Sequence, residues 1–384
     1  MVSPQPGRAT FGGDWSTWQP SAPYTVGLEE EVMLLDPHDW ELAQRSDEIL
    51  PRLSRGLAAH VSAETHQAAI ELATDAHATV AGAHAQLRDL RGSLAAELAE
   101  LGFAAAAAGT HPTALWTETR VSPASRYQVI HGTMADLASR EPTFALHVHV
   151  GVPDEDRGIE LYNRLRAHLP LLLALSANSP FWRGQATGLA STRMPIFRQF
   201  PRVGMPPAYR DWKDFDERIG AMVEAKTVED YTYLWYDVRP HPNFGTVEVR
   251  AMDGQTRVEH TLGLAALIQA MAKELAEHFE SGEKLSEYPY EMLDENRWVA
   301  SRHGLDGEMV DLPSYDRVPT RDLARRILDR LRPHAEELGS EAELAGIDDI
   351  LEKGNGAHRQ AVVYEANHDL HEVMHEIAEA SIPE

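Results

Sequence analysis

Apolar and polar residues alternate with a period of two over residues 24–35, 67–73, 144–152 and 244–252, and each stretch predicts a β-strand. Apolar residues recurring at i, i+3 and i+4 predict helices over 77–101, 158–178, 257–281, 319–338 and 366–380. The alanine run GFAAAAAGTHP at 102–112 favours helix by propensity, but it is short and ends in Gly-Thr-His-Pro, so it reads as a buried strand. Residues 183–215 and 282–318 show neither period and are rich in Pro, Gly and aromatic residues; loops of that length in a compact chain are commonly functional or poorly ordered. Residues 1–22, rich in Gly, Pro and Ser, predict a loose tail. No repeat or linker divides the rest, so residues 23–384 read as a single α+β domain.

The first strand, PYTVGLEEEVMLLD at 23–36, sets three glutamates side by side among apolar residues. Side chains alternate across a strand. Tyr24, Val26, Leu28, Val32 and Leu34 therefore share one face with Glu30, and Glu29 and Glu31 share the other. Acidic residues on a solvated strand face are common, so this motif alone decides little. The arrangement recurs on three more strands. Glu71 opposes Ile70 and Leu72; His147 and His149 oppose Leu146, Val148 and Val150; Thr246, Glu248 and Arg250 oppose Val247, Val249 and Ala251. In one sheet these would bring four carboxylates and two imidazoles onto a single surface. Two carboxylates about 4 Å apart repel by roughly 1 kcal/mol in water and about 4 kcal/mol at an effective dielectric of 20. Arg250 neutralises only part of that charge, so the pattern calls for divalent cations bound through oxygen. Glu30, on the apolar side, needs a basic partner of its own.

Composition narrows the chemistry. The 384 residues include no cysteine, which excludes disulfides, thiolate metal sites and a cysteine nucleophile. With carboxylates, one or two imidazoles and no thiolate, the ligand set favours Mg²⁺ or Mn²⁺ over zinc. A net charge of −25 argues against nucleic acid as a partner, because phosphate-backbone binding needs a basic surface. No stretch has the length and apolarity of a membrane span or a secretory h-region, so the expected location is the cytoplasm, with no membrane partner. Neither GxxxxGK[ST] nor GxGxxG is present, so a nucleotide would not be held by a P-loop or a Rossmann turn.

GLEEEVMLLDP, ETHQAAIELAT, AGTHP, HVHVGVPD, STRMPIFRQFPRVGMPP and VRPHPNFGTVEVRAMD, in this order, resemble the type 2 glutamate–cysteine ligases, or carboxylate-amine ligases. The resemblance runs from about Tyr24 to GNGAHRQ at 354–360. It implies a glutamine synthetase-like fold: a curved antiparallel sheet forming a funnel-shaped active site, with helices packed on the outer face. It implies ATP-dependent joining of the γ-carboxylate of L-glutamate to an amine such as L-cysteine, through an acyl phosphate. By the same resemblance the metal-ligand positions are Glu29, Glu31, Glu64, Glu71, His147 and Glu248. Arg250 and Arg193 are then expected at the transferring phosphoryl group, Arg239 at the α-carboxylate of glutamate, and His149 as a further contact in the funnel. GNGAHRQ and Arg359 could approach the site, although a glycine-rich turn is more often only a turn. Arg198 and Arg202 read equally well as surface ion pairs. A metal-dependent hydrolase using the same carboxylates and histidines, or a non-catalytic ATP-binding homologue, are the rival readings. An exposed sheet edge would make a homodimer unsurprising.

Overall fold

The glutamate-bearing stretch forms the central strand β1 (Val26–Leu35) of a seven-stranded antiparallel sheet in a computed structural model that describes residues 14–139 and 142–383. The other strands are β2 (Val61–Ala63), β3 (Ala69–Ala73), β4 (Ala104–Ala106), β5 (Ala145–Gly151), β6 (Val238–His241) and β7 (Thr246–Asp253). Their order across the sheet is β6-β7-β5-β1-β3-β2, and β4 pairs with the end of β1. The architecture is the expected α+β one, an open antiparallel sheet with its two longest helices packed on one face.

Two long helices back the sheet. The first, α1 (Val80–Leu101), is capped at its start by the Thr79 side chain accepting from the Gly82 amide, and it ends at left-handed Gly102. The second, α2 (Val258–Glu280), is buried along most of its length because it lies between the sheet and further helices, Thr320–Leu338 and Ala345–Lys353. On β1, Val26, Leu28, Val32 and Leu34 join this core. Met33 and Leu35, on the opposite face, join a second apolar cluster with Ala106, Phe181 and the C-terminal helix Leu370–Ser381. The strand is thus partly exposed on its second face at Gly27, Glu29 and Glu31 and covered beyond them.

Glu30 points into the helical layer and is 1% exposed. Arg91 of α1 meets it with two parallel bonds of 2.8 Å, and the Thr261 hydroxyl of α2 donates to it at 2.6 Å. The remaining Arg91 donors reach the carbonyls of Gln255 and Thr256 at 2.7 Å. One saturated ion pair therefore ties β1 to both helices and to the turn after β7.

An irregularity in β7 matters for the site. Val249 pairs with Val148 and Met252 with Leu146, so β7 carries one extra residue opposite β5 at Arg250–Ala251. This bulge reverses the alternation: Met252 enters the apolar core, while Arg250 stays on the polar face.

Several boundaries differ from expectation. The strand expected from residue 24 begins at Val26, because Tyr24 adopts φ 62°. The helix expected over 158–178 is two, Glu155–Leu165 and Leu169–Ser176, broken where Pro170 supplies the first turn of the second. The helix expected at 366–380 is Leu370–Ser381, preceded by a separate helix Gly356–Asn367; between them His368 turns left-handed at φ 53°. Residues 282–318 include the helix Tyr290–His303, and the alanine-run strand spans only Ala104–Ala106. Of the expected tail, residues 1–13 lie outside the described residues, while Trp18 is buried and donates to the Val152 carbonyl at 3.2 Å. No helix among the described residues is long and apolar enough to cross a membrane.

Replacing Arg91 by methionine keeps the stem but strands the Glu30 carboxylate, and should cost about 3–5 kcal/mol in denaturant unfolding. A loss below about 1 kcal/mol would show that Glu30 is satisfied without its ion pair.

Candidate active site

Strand register brings the polar side chains into one patch on the face away from α1 and α2. Glu29 lies opposite His147, Glu31 opposite Glu71, Glu248 opposite His149, and Arg239 opposite Glu248. Of these, Glu29, Glu31, Glu71, His147 and Arg239 line a cavity of about 250 Å³, together with Tyr127, Ile130, Phe197, Phe200 and Trp235.

Two sets of ligand-type atoms converge there. One oxygen or nitrogen from each of Glu29, His149 and Glu248 lies within 4.8 Å of the others, and the same holds for Glu29, Glu71 and His147. Glu29 belongs to both sets. Nε2 of His147 and of His149 is buried without a hydrogen-bond partner, although carboxylate oxygens stand near: Glu31 3.8 Å from the first, Glu29 and Glu248 3.3 and 3.8 Å from the second. Orphaned imidazole nitrogens facing carboxylates, with no thiolate present, fit a hard divalent cation. The other ring nitrogens are engaged: His149 Nδ1 lies 2.9 Å from Thr246 Oγ1, and His147 Nδ1 lies 3.2 Å from Glu29 and 3.4 Å from Arg250. A neutral His147 ring can donate to Glu29 or accept from Arg250, but not both.

The carboxylates divide electrically. Burial works against ionised Glu29, but the His149 and His147 rings outweigh it and hold its carboxyl far below the usual range. Burial likewise opposes ionised Glu248, and Arg239 and Arg250 override it. Glu31 is pushed up to about 7 by burial and by Glu64. Glu71 is driven well above the ordinary value by burial and then by Glu29, Glu64 and Glu31. Burial lowers His147 to about 4, helped by Arg250, whereas Glu29 and Glu248 overcome burial and raise His149.

The arginines have distinct surroundings. Arg250 pairs with Glu248 through one nitrogen, and its Nε is buried without a partner. Arg239 is bound to Glu248 at 2.8 and 2.9 Å and to the Thr232 carbonyl at 2.8 Å, so in this state its fork faces a protein carboxylate. Arg193 is 3% exposed, lies over the Phe197 ring, and has no carboxylate within 4.0 Å among the described residues. Glu64 lines the cavity, yet it belongs to neither ligand set; its oxygen accepts from the Thr65 amide at 2.8 Å. Glu31 accepts from the Ala145 amide at 2.6 Å. GNGAHRQ forms the start of a helix, where Asn355 accepts from the His358 amide and Arg359 pairs with Asp349 at 2.6 Å. Arg198 forms a surface pair with Asp294.

Sequence patterning missed Asp253. Fully buried at the end of β7, it accepts from the hydroxyls of Ser179 and Ser191 at 2.7 and 2.8 Å, and Ser179 in turn accepts from the Arg193 amide. Asp253 thereby holds the segment that carries Arg193. It belongs to TVEVRAMD, but parity alone could not orient it beyond the bulge.

The sequence matches the glutamate–cysteine ligase family 2 (GCS2) over residues 25–379. A Rubrobacter xylanophilus relative, provisionally named glutamate–cysteine ligase 2-1, is 42% identical over 94% of this chain and 95% of its own length. A Solibacter usitatus relative with the provisional name glutamate–cysteine ligase 2 is 38% identical over 91% of each chain. Among solved structures, a Francisella tularensis glutamate–cysteine ligase in complex with AMP superposes with a TM-score of 0.67 at 14% identity, over 95% of this chain and 89% of that one. A bifunctional glutathione synthetase from Pasteurella multocida gives 0.68 at 13% identity, over 93% of this chain and 52% of that one. The fold is that of the glutamine synthetase-like ligases, and the protein is a carboxylate-amine ligase enzyme. The chain belongs to glutamate–cysteine ligase family 2.

The raised carboxyls would make any binding of a cation here proton-linked. A carboxyl with a raised folded-state value contributes stability at low pH that is lost as pH rises through that value; for Glu31 the window runs from 4.5 to about 7. Buried histidines held below 6.5, including His111, His168 and His241, act in the opposite sense near pH 6.5, so the increment due to metal is the informative quantity. The gain in melting temperature from saturating Mg²⁺ should be larger at pH 8 than at pH 6. Equal gains at the two values would contradict binding at Glu31 and Glu71.

Proposed function

We propose that the protein joins the γ-carboxylate of L-glutamate to the amine of L-cysteine, weakly, or of another amine, with ATP cleaved to ADP and phosphate and with Mg²⁺ or Mn²⁺ required. The observation that carries this reading is the pair of ligand sets sharing Glu29, one of which, Glu29–Glu71–His147, lines a single cavity with Arg250 and Arg193. Phosphoryl transfer asks a protein mainly for positioning and charge neutralisation, and this site is built of those two capacities.

Glu29, Glu71, Glu248, His147 and His149 are the residues that would hold divalent cation, with Glu31 and Glu64 at the margin of the sets. The chemistry such cations supply is neutralisation and alignment of the ATP phosphates. Arg250, which lines the cavity, would receive the phosphoryl oxygens as the γ-carboxylate of glutamate attacks. Arg193, buried over the Phe197 ring and with no carboxylate within 4.0 Å among the described residues, is suited to a second anionic contact. Arg239 positions Glu248 in this state, and gripping the α-carboxylate of glutamate would require it to release that partner. The amine nitrogen then attacks the γ-glutamyl phosphate carbonyl, its proton is lost, and phosphate departs with the bonding pair. The apolar walls Ile130, Phe197, Phe200 and Trp235 keep bulk water from the acyl phosphate.

ADP should be released only when glutamate and an amine are both present, and the product mass should be that of the γ-glutamyl amide. Glu29→Gln should abolish this turnover in a folded protein, and Glu31→Gln likewise. Arg250→Lys, which keeps the charge but loses the planar fork, should lower kcat about 100-fold with little change in melting temperature. Cleavage of a substrate without ATP would point to the hydrolase reading, and near-normal turnover in any of these variants would remove that residue from the site.

A further inference from the structure

The turn joining β6 and β7, Pro242–Gly245, stands at the edge of the patch next to the Glu29–His149–Glu248 set. Its Phe244 side chain is 56% exposed, although the turn itself is held firmly. The Phe244 amide donates to the His241 carbonyl at 3.1 Å and the Gly245 amide to the Pro242 carbonyl at 3.2 Å. From the N-terminal segment the Gln19 amide reaches the Pro242 carbonyl at 2.9 Å and the Ser21 hydroxyl reaches the Phe244 carbonyl at 2.6 Å. Gly245 permits that closure: its φ is 62°, and a Cβ there would lie 1.9 Å from the Gln19 carbonyl oxygen.

A single exposed aromatic ring needs no explanation by itself. This one belongs to a cluster of three rings. One face of the Phe244 ring stacks on His241, with centroids 4.2 Å apart and planes 7° from parallel. His241 meets His149 at 5.5 Å, and Phe244 meets His149 at 5.9 Å. His149, a candidate metal ligand, therefore touches both rings of the stacked pair, and Phe244, the exposed member of the three, offers a flat apolar face beside it. A nucleoside triphosphate whose phosphates lie at the Glu29–His149–Glu248 set extends its base one ribose further out, toward that face.

We propose that Phe244 is the stacking platform for the nucleobase of the triphosphate substrate, an inference that rests on the ATP-dependent ligase reading above. The base lies on the free face of Phe244, and His241 supports the ring from behind. Stacking on a π-face is tolerant of base identity, so Phe244 contributes affinity more than choice of nucleotide.

The test compares wild type, Phe244→Ala and Phe244→Trp by calorimetry with Mg–ATP and with Mg–tripolyphosphate, which carries the phosphates without the base. Phe244 is exposed, so the variants are expected to fold, and circular dichroism verifies it. The alanine variant should bind ATP about tenfold more weakly, bind tripolyphosphate as wild type does, and leave the KM for the amine unchanged. The tryptophan variant should retain ATP affinity within about twofold. Unchanged ATP affinity in the alanine variant overturns the proposal, as does equal weakening of both ligands, which would make Phe244 a prop for His149 alone. A raised KM for the amine with unchanged ATP affinity overturns it by making the ring an acceptor contact. Failure of wild type to bind Mg–ATP at all overturns the ligase reading first and this inference with it.

Discussion

Repulsion among carboxylates gathered on one face of a sheet is the constraint on which the rest of this structure depends. Glu29 and Glu31 of β1, Glu71 of β3 and Glu248 of β7 stand on one face of the sheet, and Glu64 adds a fifth carboxyl at the edge. The protein divides the load. Histidines and arginines keep Glu29 and Glu248 ionised, while burial and mutual repulsion leave Glu31 and Glu71 inclined to hold protons. A site arranged in this way has the charge that a divalent cation would neutralise, and His147 and His149 each keep one ring nitrogen without a hydrogen bond among the described residues.

Such a face stays in register only if the layer behind it does not move. The Glu30–Arg91 pair supplies that backing, joining the strand that carries Glu29 and Glu31 to α1, α2 and the turn after β7. Replacing the pair by apolar residues of similar size need not cost stability, so its contribution lies in fixing where β1 sits. The bulge at Arg250–Ala251 does the corresponding task on β7, keeping Arg250 in the site while returning Met252 to the core. Asp253, just beyond the bulge, then holds the segment bearing Arg193.

What could be read from the sequence was whatever depends on a period of two. Parity separated Glu30 from Glu29 and Glu31, put His147 and His149 on one face, and required a basic partner for Glu30, found as Arg91. Features set by pairing or by loop course escaped it. That Arg239 engages Glu248 follows from the register of β6, a four-residue strand with no alternation to mark it. The orientation of Asp253 depends on a bulge that leaves no mark on the residue pattern. The break before Leu169 and the left-handed His368 interrupt helices whose apolar spacing runs on without a gap. The aromatic wall of Phe197, Phe200 and Trp235 comes from segments without regular patterning and is assembled only by the fold.

The central claim is that this face exists to exchange protons for divalent cation. Calorimetric titration of the protein with Mn²⁺ at pH 7, in buffers of different ionisation enthalpy, tests it most directly. The account predicts an observed enthalpy that varies linearly with the buffer's ionisation enthalpy, with the slope signifying net proton release from Glu31 and Glu71. Absence of binding, or an enthalpy identical in every buffer, would contradict it.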